Sequence, residues 1–293
     1  MITFKQFLLE GGHATAKFNT ERANAQDIKA ALEFVSKTLD MPYETLKNDL
    51  LGSTALTLLG KKKDSGDLDI AFSLQHSDVN IIDKKMRAAV NDEGGYNAGT
   101  KVGSYAVPVN GKKVQVDLMF VNNKDWAKFI YHSEAGAGSK YPGAIRNIIM
   151  MTALTFAQEP GKDFTLDDSD GRQIARARKS IKMDQGMERL FKLAKFNEKT
   201  GKYNKSMDSV DPKELAIHLK SKGHNLSFSQ ERDHTDDPKK VVEFIFGKGT
   251  DPKSVSSAEG VIAAIKKMKN SKEILAKAKS ELERLNMEIP TEL

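Results

Sequence analysis

The chain has 293 residues, 39% of them hydrophobic and 29% charged, the balance of an ordinary globular protein able to bury a sizeable core. It has no cysteine, which excludes disulfides and thiolate zinc sites and fits a reducing compartment. The net charge of +6 is unevenly spread: residues 172–205 hold 11 basic and 3 acidic side chains, whereas 206–293 hold 15 of each, so the excess sits in one segment suited to a polyanion or to a solvated face.

MITFKQFLLEGG, at the start, reads as a short amphipathic helix over 1–10 ended by Gly11-Gly12, with acidic and polar residues where a signal peptide needs an apolar core. The longest apolar stretch, Ile148 to Ala157, is about half the ~20 residues that cross a bilayer, so the expectation is a cytoplasmic protein with no membrane partner. A helix is expected from Asn24 to Leu39, with Ile28, Leu32, Val35 and Leu39 on one stripe, stopped by Pro42. A short helix over 43–51 leads into Gly52-Ser53. Asp67 to Phe72 then alternates with period two, Leu68, Ile70 and Phe72 on one face and Asp67 and Asp69 on the other, which is a strand.

Helical spacing returns over 78–90. Val102–Val109 and Lys112–Val121 are extended runs joined by Asn110-Gly111, a strong hairpin signal because both turn positions need positive φ. Val114, Val116, Leu118 and Phe120 make the buried face of the second run, so Asp117 points the other way with Lys113, Gln115 and Met119. Helices are expected over 125–132, 142–157, 171–197, 211–222, 238–247, 256–269 and 271–286. Trp126 is expected to anchor the core. The acidic run Asp167-Asp168-Ser169-Asp170 suits the start of the basic helix, and three Asp-Pro pairs at 211, 237 and 251 mark later turns or helix starts. The expected fold class is α/β (α+β): an N-terminal helical segment over 1–45, a small mixed sheet with flanking helices over 46–160, and a helical, partly basic C-terminal region over 161–293.

The chemistry is concentrated in LLGSTALTLLGKKKDSGDLDI, residues 50–70. Backbone N–H groups of a Gly-Ser turn opening a helix can approach a phosphate, and the Ser53 hydroxyl can donate to it. Asp67 and Asp69, at i and i+2 on a strand, project from one side and repel each other unless a cation or a proton intervenes. Mg²⁺ turns such a pair into a hard-oxygen platform, and Asp117 on a neighbouring strand supplies a third ligand. Three carboxylates can hold two ions, one to activate an attacking hydroxyl and one to stabilise a leaving pyrophosphate. Lys61, Lys62 and Lys63, between turn and strand, suit a triphosphate or a solvated loop equally. His13, His132, His218, His224 and His234 are scattered without zinc-ligand spacing.

Gly52-Ser53, thirteen residues and then Asp67-Leu68-Asp69-Ile70, followed by Val116-Asp117-Leu118, resembles the signature of the DNA polymerase beta-like nucleotidyltransferase superfamily over about a quarter of the chain. The resemblance implies that Asp67, Asp69 and Asp117 hold two Mg²⁺ ions (or Mn²⁺), that Asp117 helps deprotonate the incoming hydroxyl, and that Gly52 and Ser53 hold the triphosphate of an NTP or dNTP. Lys63-Asp64-Ser65-Gly66-Asp67-Leu68-Asp69 is similar to family X polymerases, and FIYHSEAGAGSKYPGAIRN (129–147) resembles their nucleotide-contacting segment, which would put Tyr131, Ser139, Arg146 and Asn147, with Lys63, at the nucleotide. The spacing is longer here, the arginine that follows their Gly-Ser is missing, and no Gly-x-Gly helix-hairpin-helix segment for gripping duplex DNA is found. Gly52-Ser53-Thr54-Ala55-Leu56 and Ser65-Gly66-Asp67-Leu68-Asp69 also resemble the abortive-infection and type IV toxin nucleotidyltransferases, some of which modify tRNA; Ser53 replaces their second glycine. The opening resembles starts common among tailed-phage proteins. Together these imply transfer of a nucleoside monophosphate to a hydroxyl. The acceptor expected from the basic segment is a nucleic-acid 3′ end, RNA over DNA, with Arg176, Lys179, Lys182 and Lys192 on its phosphates. A protein or small-molecule hydroxyl, or an inactive nucleic-acid-binding protein, are the alternatives.

Overall fold

A computed structural model describes residues 15–131, 139–182, 185–225 and 228–293; the helix expected over 1–10, His13 and His132 lie outside them. The class is mixed α/β, with two separate four-stranded sheets. Helix α1 (Ala25–Leu39) starts on a capping box: Asn24 Oδ1 accepts from the Gln26 and Asp27 amides, while Asp27 Oδ2 accepts from the Asn24 amide at 3.0 Å. Its buried stripe is the expected one, and Asp40, in the left-handed region, ends it. Short helices α2 (Tyr43–Asn48) and α3 (Gly52–Leu58) follow.

The first sheet contains β1 (Leu68–Ser73), β2 (Gly94–Asn97), β3 (Val102–Val109) and β4 (Lys112–Val121) in the order β1-β4-β3-β2, with α4 (Val79–Ala89) between β1 and β2. The β3–β4 hairpin turns on Asn110 and Gly111, both at positive φ. β1 lies parallel to β4, with Asp69 opposite Asp117. Leu68, Ile70, Phe72, Val114, Val116, Leu118 and Phe120 pack with α1 in one core. The opposite face of β4 is also covered: Gln115 is fully buried, Asp117 and Met119 nearly so, and Leu51, Ala71, Met119, Val121 and Ala127 form a second small core there.

Helices α5 (Lys124–Ile130) and α6 (Gly143–Leu154) come next, and Trp126 is buried in a large core that α5 and α6 share with the C-terminal helices. The helix expected over 171–197 does not exist. Its place is taken by β6 (Gln173–Lys182) and β7 (Gly186–Asn197), which pair antiparallel between β5 (Phe164–Asp167) and β8 (Lys202–Ser209). Ala175-Arg176-Ala177-Arg178 alternates with period two, burying both alanines, whereas the abundance of Lys and Arg favours a helix only while no tertiary partner competes. The acidic run accordingly belongs to a β5–β6 turn: Asp168 Oδ1 accepts from the Asp170 and Arg172 amides, both at 2.9 Å, and Gly171 is at positive φ.

The C-terminal helices α7 (Pro212–Ser221), α8 (Pro238–Phe246), α9 (Ala258–Ile265) and α10 (Ser271–Arg284) fall where the spacing predicts them. Asp211, Asp237 and Asp251 are N-caps whose side chains accept from the amides of Lys213, Lys239 and Lys253, with proline in the first turn of each element. Among the described residues, no helix is long and apolar enough to cross a membrane.

Candidate metal centre

The segment Asp49–Leu51 runs back along β1. The Leu51 amide donates to the Asp69 carbonyl and the Ala71 amide to the Asp49 carbonyl, both at 2.9 Å. Asp49 ties this segment to the start of α5 through Lys124 at 2.5 Å and Lys128 at 3.4 Å. The chain then turns at Gly52, whose φ of +56° suits glycine. A Cβ at Gly52 would lie 3.6 Å from Asp69 Oδ2 and 3.6 Å from the Tyr131 carbonyl oxygen, so the turn is wedged between the acidic strand and the end of α5.

Thr54, buried in the first turn of α3, clips that turn to the strand. Its hydroxyl donates to the Asp67 carbonyl at 3.0 Å and accepts from the Asp69 amide at 3.2 Å. The Ser53 and Ser65 hydroxyls are 2.5 Å apart, and Ser65 is in turn held by a backbone bridge to Ala23. On the neighbouring strand Gln115 Nε2 donates to both Asp117 oxygens, at 3.1 and 3.0 Å. Gln115 Oε1 accepts from the Thr15 hydroxyl at 2.8 Å, which fixes the amide's orientation. Thr54, Ser65, Ser104 and Gln115 are absent from the expected site residues: Thr54 and Ser65 stand inside the resembling motifs with no role assigned, nothing marks Ser104, and Gln115, two residues before Asp117 and on its face, is the one that strand alternation exposes.

The result is that Asp67, Asp69 and Asp117 each offer a carboxylate oxygen within 4.8 Å of the others, a group able to hold a metal ion. Burial, with added repulsion from Asp67 and Asp117, holds the Asp69 carboxyl well above its ordinary range. Burial likewise pushes the Asp117 carboxyl up to about 6; hydrogen bonds from Ser104 and Gln115 pull it back, and the charge of Asp67 raises it. Three hard oxygen donors that cannot all ionise unaided are a donor set for a hard divalent cation.

The other expected residues divide. Tyr131 is at the centre through its backbone, and Lys61, Lys62 and Lys63 are exposed in the loop between α3 and β1. Arg146 is not a lining residue. It is fully buried, donating to the carbonyls of Val255 at 2.9 Å and Phe129 at 3.2 Å and to Asn147 Oδ1 at 2.8 Å, with its guanidinium over the Phe129 ring. Asn147 donates to the Ile130 carbonyl, so this pair grips the end of α5 beside Tyr131. Ser139 is also spent within the protein, donating to Glu259 Oε2 at 2.9 Å. Of the four cations expected on an acceptor, Lys179 is paired with Glu159 at 3.2 Å and Lys182 with Glu188, while Arg176 and Lys192 face each other across β6 and β7. No protein-family model matches the chain, and no curated protein matches it.

Proposed function

We propose that the protein is a divalent-metal-dependent nucleotidyltransferase, moving a nucleoside monophosphate from an NTP or dNTP to a hydroxyl with release of pyrophosphate. The observation that carries this reading is the meeting of Asp67, Asp69 and Asp117 within 4.8 Å beside the Gly52 turn. Two Mg²⁺ ions, or Mn²⁺, held by these carboxylates would neutralise phosphate charge and acidify a coordinated hydroxyl. Gly52, lacking a side chain, keeps the approach to Asp69 Oδ2 free of a Cβ. With Ser65 as donor in the bond between the two hydroxyls, Ser53 can turn its own O–H toward a phosphate oxygen. Lys63 lies in the exposed loop and can supply charge from outside. The Asp117 carboxylate, held by Gln115 from behind, is the group we assign to take the proton from the attacking hydroxyl.

A nucleic-acid 3′ end, RNA over DNA, is the acceptor we propose, because Arg176 and Lys192 keep charge on the basic hairpin. The neutralisation of Lys179 and Lys182 favours the second reading, a protein or small-molecule hydroxyl. A cysteine-free chain fits action in a reducing cytoplasm, a phage host's included. The test is pyrophosphate release from each NTP with Mg²⁺, alone and with tRNA, total RNA or oligodeoxynucleotides. Asp67→Asn, Asp69→Asn and Asp117→Asn should each lower it by orders of magnitude while the fold persists. Wild-type rates in any of the three would remove that residue from the centre, and no metal-dependent release with any acceptor would leave a nucleic-acid-binding protein without catalysis.

A further inference from the structure

The cations of the β6–β7 hairpin fall into two groups. Lys179, Lys182, Arg189 and Lys195 each have a carboxylate, respectively Glu159, Glu188, Asp163 and Asp208. Arg176, Arg178 and Lys192 make no ion pair among the described residues; Asp163 and Asp208 act on Arg178 and Lys192 only from beyond contact, and among the same residues no carboxylate acts on Arg176. Arg176 sits directly opposite Lys192, and the Arg176 Nε is buried without a hydrogen-bond partner. Like charges facing each other across two strands destabilise the pair, and a half-buried guanidinium without a counter-ion adds a desolvation cost. Burial first, and then the charge of Arg178, lower the proton affinity of Arg176; burial and then Arg176 lower that of Lys192, with Asp208 acting the other way.

Two of these three groups, Arg176 and Arg178, meet at one place. A cavity of about 290 Å³ opens between β6, the end of α6 and the last turns of α10, and Arg176, Arg178, Lys179, Lys277 and Arg284 line it. Glu281 is the one carboxylate in its lining, and Arg284 already pairs with it at 2.7 Å. Arg178 donates to the Thr155 carbonyl, which holds the guanidinium in the wall, and Lys277 makes no ion pair among the described residues. The volume is near the lower limit for small-molecule sites, room for a phosphoryl group and a short appendage and none for a nucleic-acid helix.

We propose that this cavity is an oxyanion site that takes a phosphoryl group, held by Arg176 and Arg178 from β6 and by Lys277 and Arg284 from α10. Guanidinium forks match phosphate oxygens two at a time, and a bound dianion would relieve the repulsion that the hairpin and α10 build up. The site does not depend on nucleotidyl transfer. The phosphoryl group comes from a free small phosphate or from the terminal phosphate of a polynucleotide.

The experiment is titration calorimetry and thermal unfolding in chelator, at constant ionic strength, with inorganic phosphate, pyrophosphate, and single-stranded oligonucleotides with and without a 5′-phosphate. Phosphate or pyrophosphate, or the 5′-phosphorylated oligonucleotide alone, should bind and raise the melting temperature. Arg176→Gln and Lys277→Gln should each weaken this by about tenfold or more, the worth of one charge-assisted contact. Lys195→Gln, whose partner Asp208 is on the surface, should change nothing, and Asp67→Asn should bind as wild type even where transfer is lost. Without anion, Arg176→Gln should melt higher than wild type, because a repulsive charge is gone. The proposal is overturned if no anion exceeds chloride at equal ionic strength, if Arg176→Gln and Lys195→Gln respond alike, if both oligonucleotides bind equally well, or if Arg176→Gln melts lower without anion.

Discussion

Without a cation, Asp69 and Asp117 are held in a place that favours their protonated forms, and that preference is linked to stability. A carboxyl whose folded pKa lies above its unfolded value stabilises the fold while it keeps its proton. For Asp117, at about 6 against an ordinary 3.8, the contribution is complete below pH ~4 and is lost as pH rises through about 6. At 1.36 kcal/mol per unit it is on the order of 3 kcal/mol. Chelated wild-type protein should therefore lose melting temperature between pH 4 and 7 relative to Asp117→Asn, and Mg²⁺ at pH 7 should restore it in wild type only. Identical pH profiles for the two proteins, in chelator, would mean that the carboxyl is not under this strain. Of the residues that aim the carboxylates, Thr54 was beyond reach of the sequence because its role depends on how the Gly52 turn folds back onto β1, whereas Gln115 shares the face of Asp117 by alternation alone. Asp67, Asp69 and Asp117 were legible, because alternation alone puts each opposite an apolar face.

At the scale of elements, the hairpin β6–β7 is where local preference and final structure part company. Runs such as Arg176-Ala177-Arg178-Lys179 suit a helix by propensity, and only pairing with β5 and β8 makes the strand win. Arg189 shows how that win is secured. Its guanidinium, fully buried, bonds Asp163 at 2.9 Å, Asp233 at 2.5 Å and Glu159 at 2.5 Å, and its amide donates to the Arg232 carbonyl, strapping the 231–235 segment and the lead-in to β5 onto β7. Arg189→Met should destabilise the protein by roughly 3–5 kcal/mol, since three carboxylates would be left around an apolar side chain. Urea unfolding measures this, and a loss below 1 kcal/mol would show that the carboxylates find solvent easily. The helices on either side were legible from spacing and punctuation: the Ile28, Leu32, Val35 and Leu39 stripe marks the first, Asp211-Pro212 and Asp237-Pro238 open two more, and Asp251-Pro252 opens a 3-10 turn.

At the scale of the whole molecule, α5 is the shared wall. Trp126 and Ile130 enter the large C-terminal core, while Ala127, on the same two turns, packs against Leu51, Ala71 and Met119 on the carboxylate face of the first sheet. Arg146 and Asn147 hold its far end. The small core on the first sheet and the large C-terminal core therefore share α5, whereas Ala175, Ala177 and Phe191 of the second sheet pack with Leu215 and Leu219 of α7 in a core of their own. Trp126 is the single tryptophan, so its fluorescence reports this junction alone, and its urea transition should coincide with the loss of far-UV circular dichroism. Two separated midpoints would show that the C-terminal core unfolds by itself.

The parallel pairing of β1 with β4 also sets the order in which the molecule can be made. The β3–β4 hairpin closes on a two-residue turn, a microsecond event, but no local turn can bring parallel strands together. Asp69 and Asp117 are forty-eight positions apart in the chain, and α4, β2 and β3 lie between them. A chain emerging from the ribosome thus carries Asp117 apart from Asp67 and Asp69 until the crossover is complete. The repulsion between Asp117 and the other two arises only in the finished topology, and a cation that gathers the three rewards correct assembly alone, a checkpoint written into connectivity.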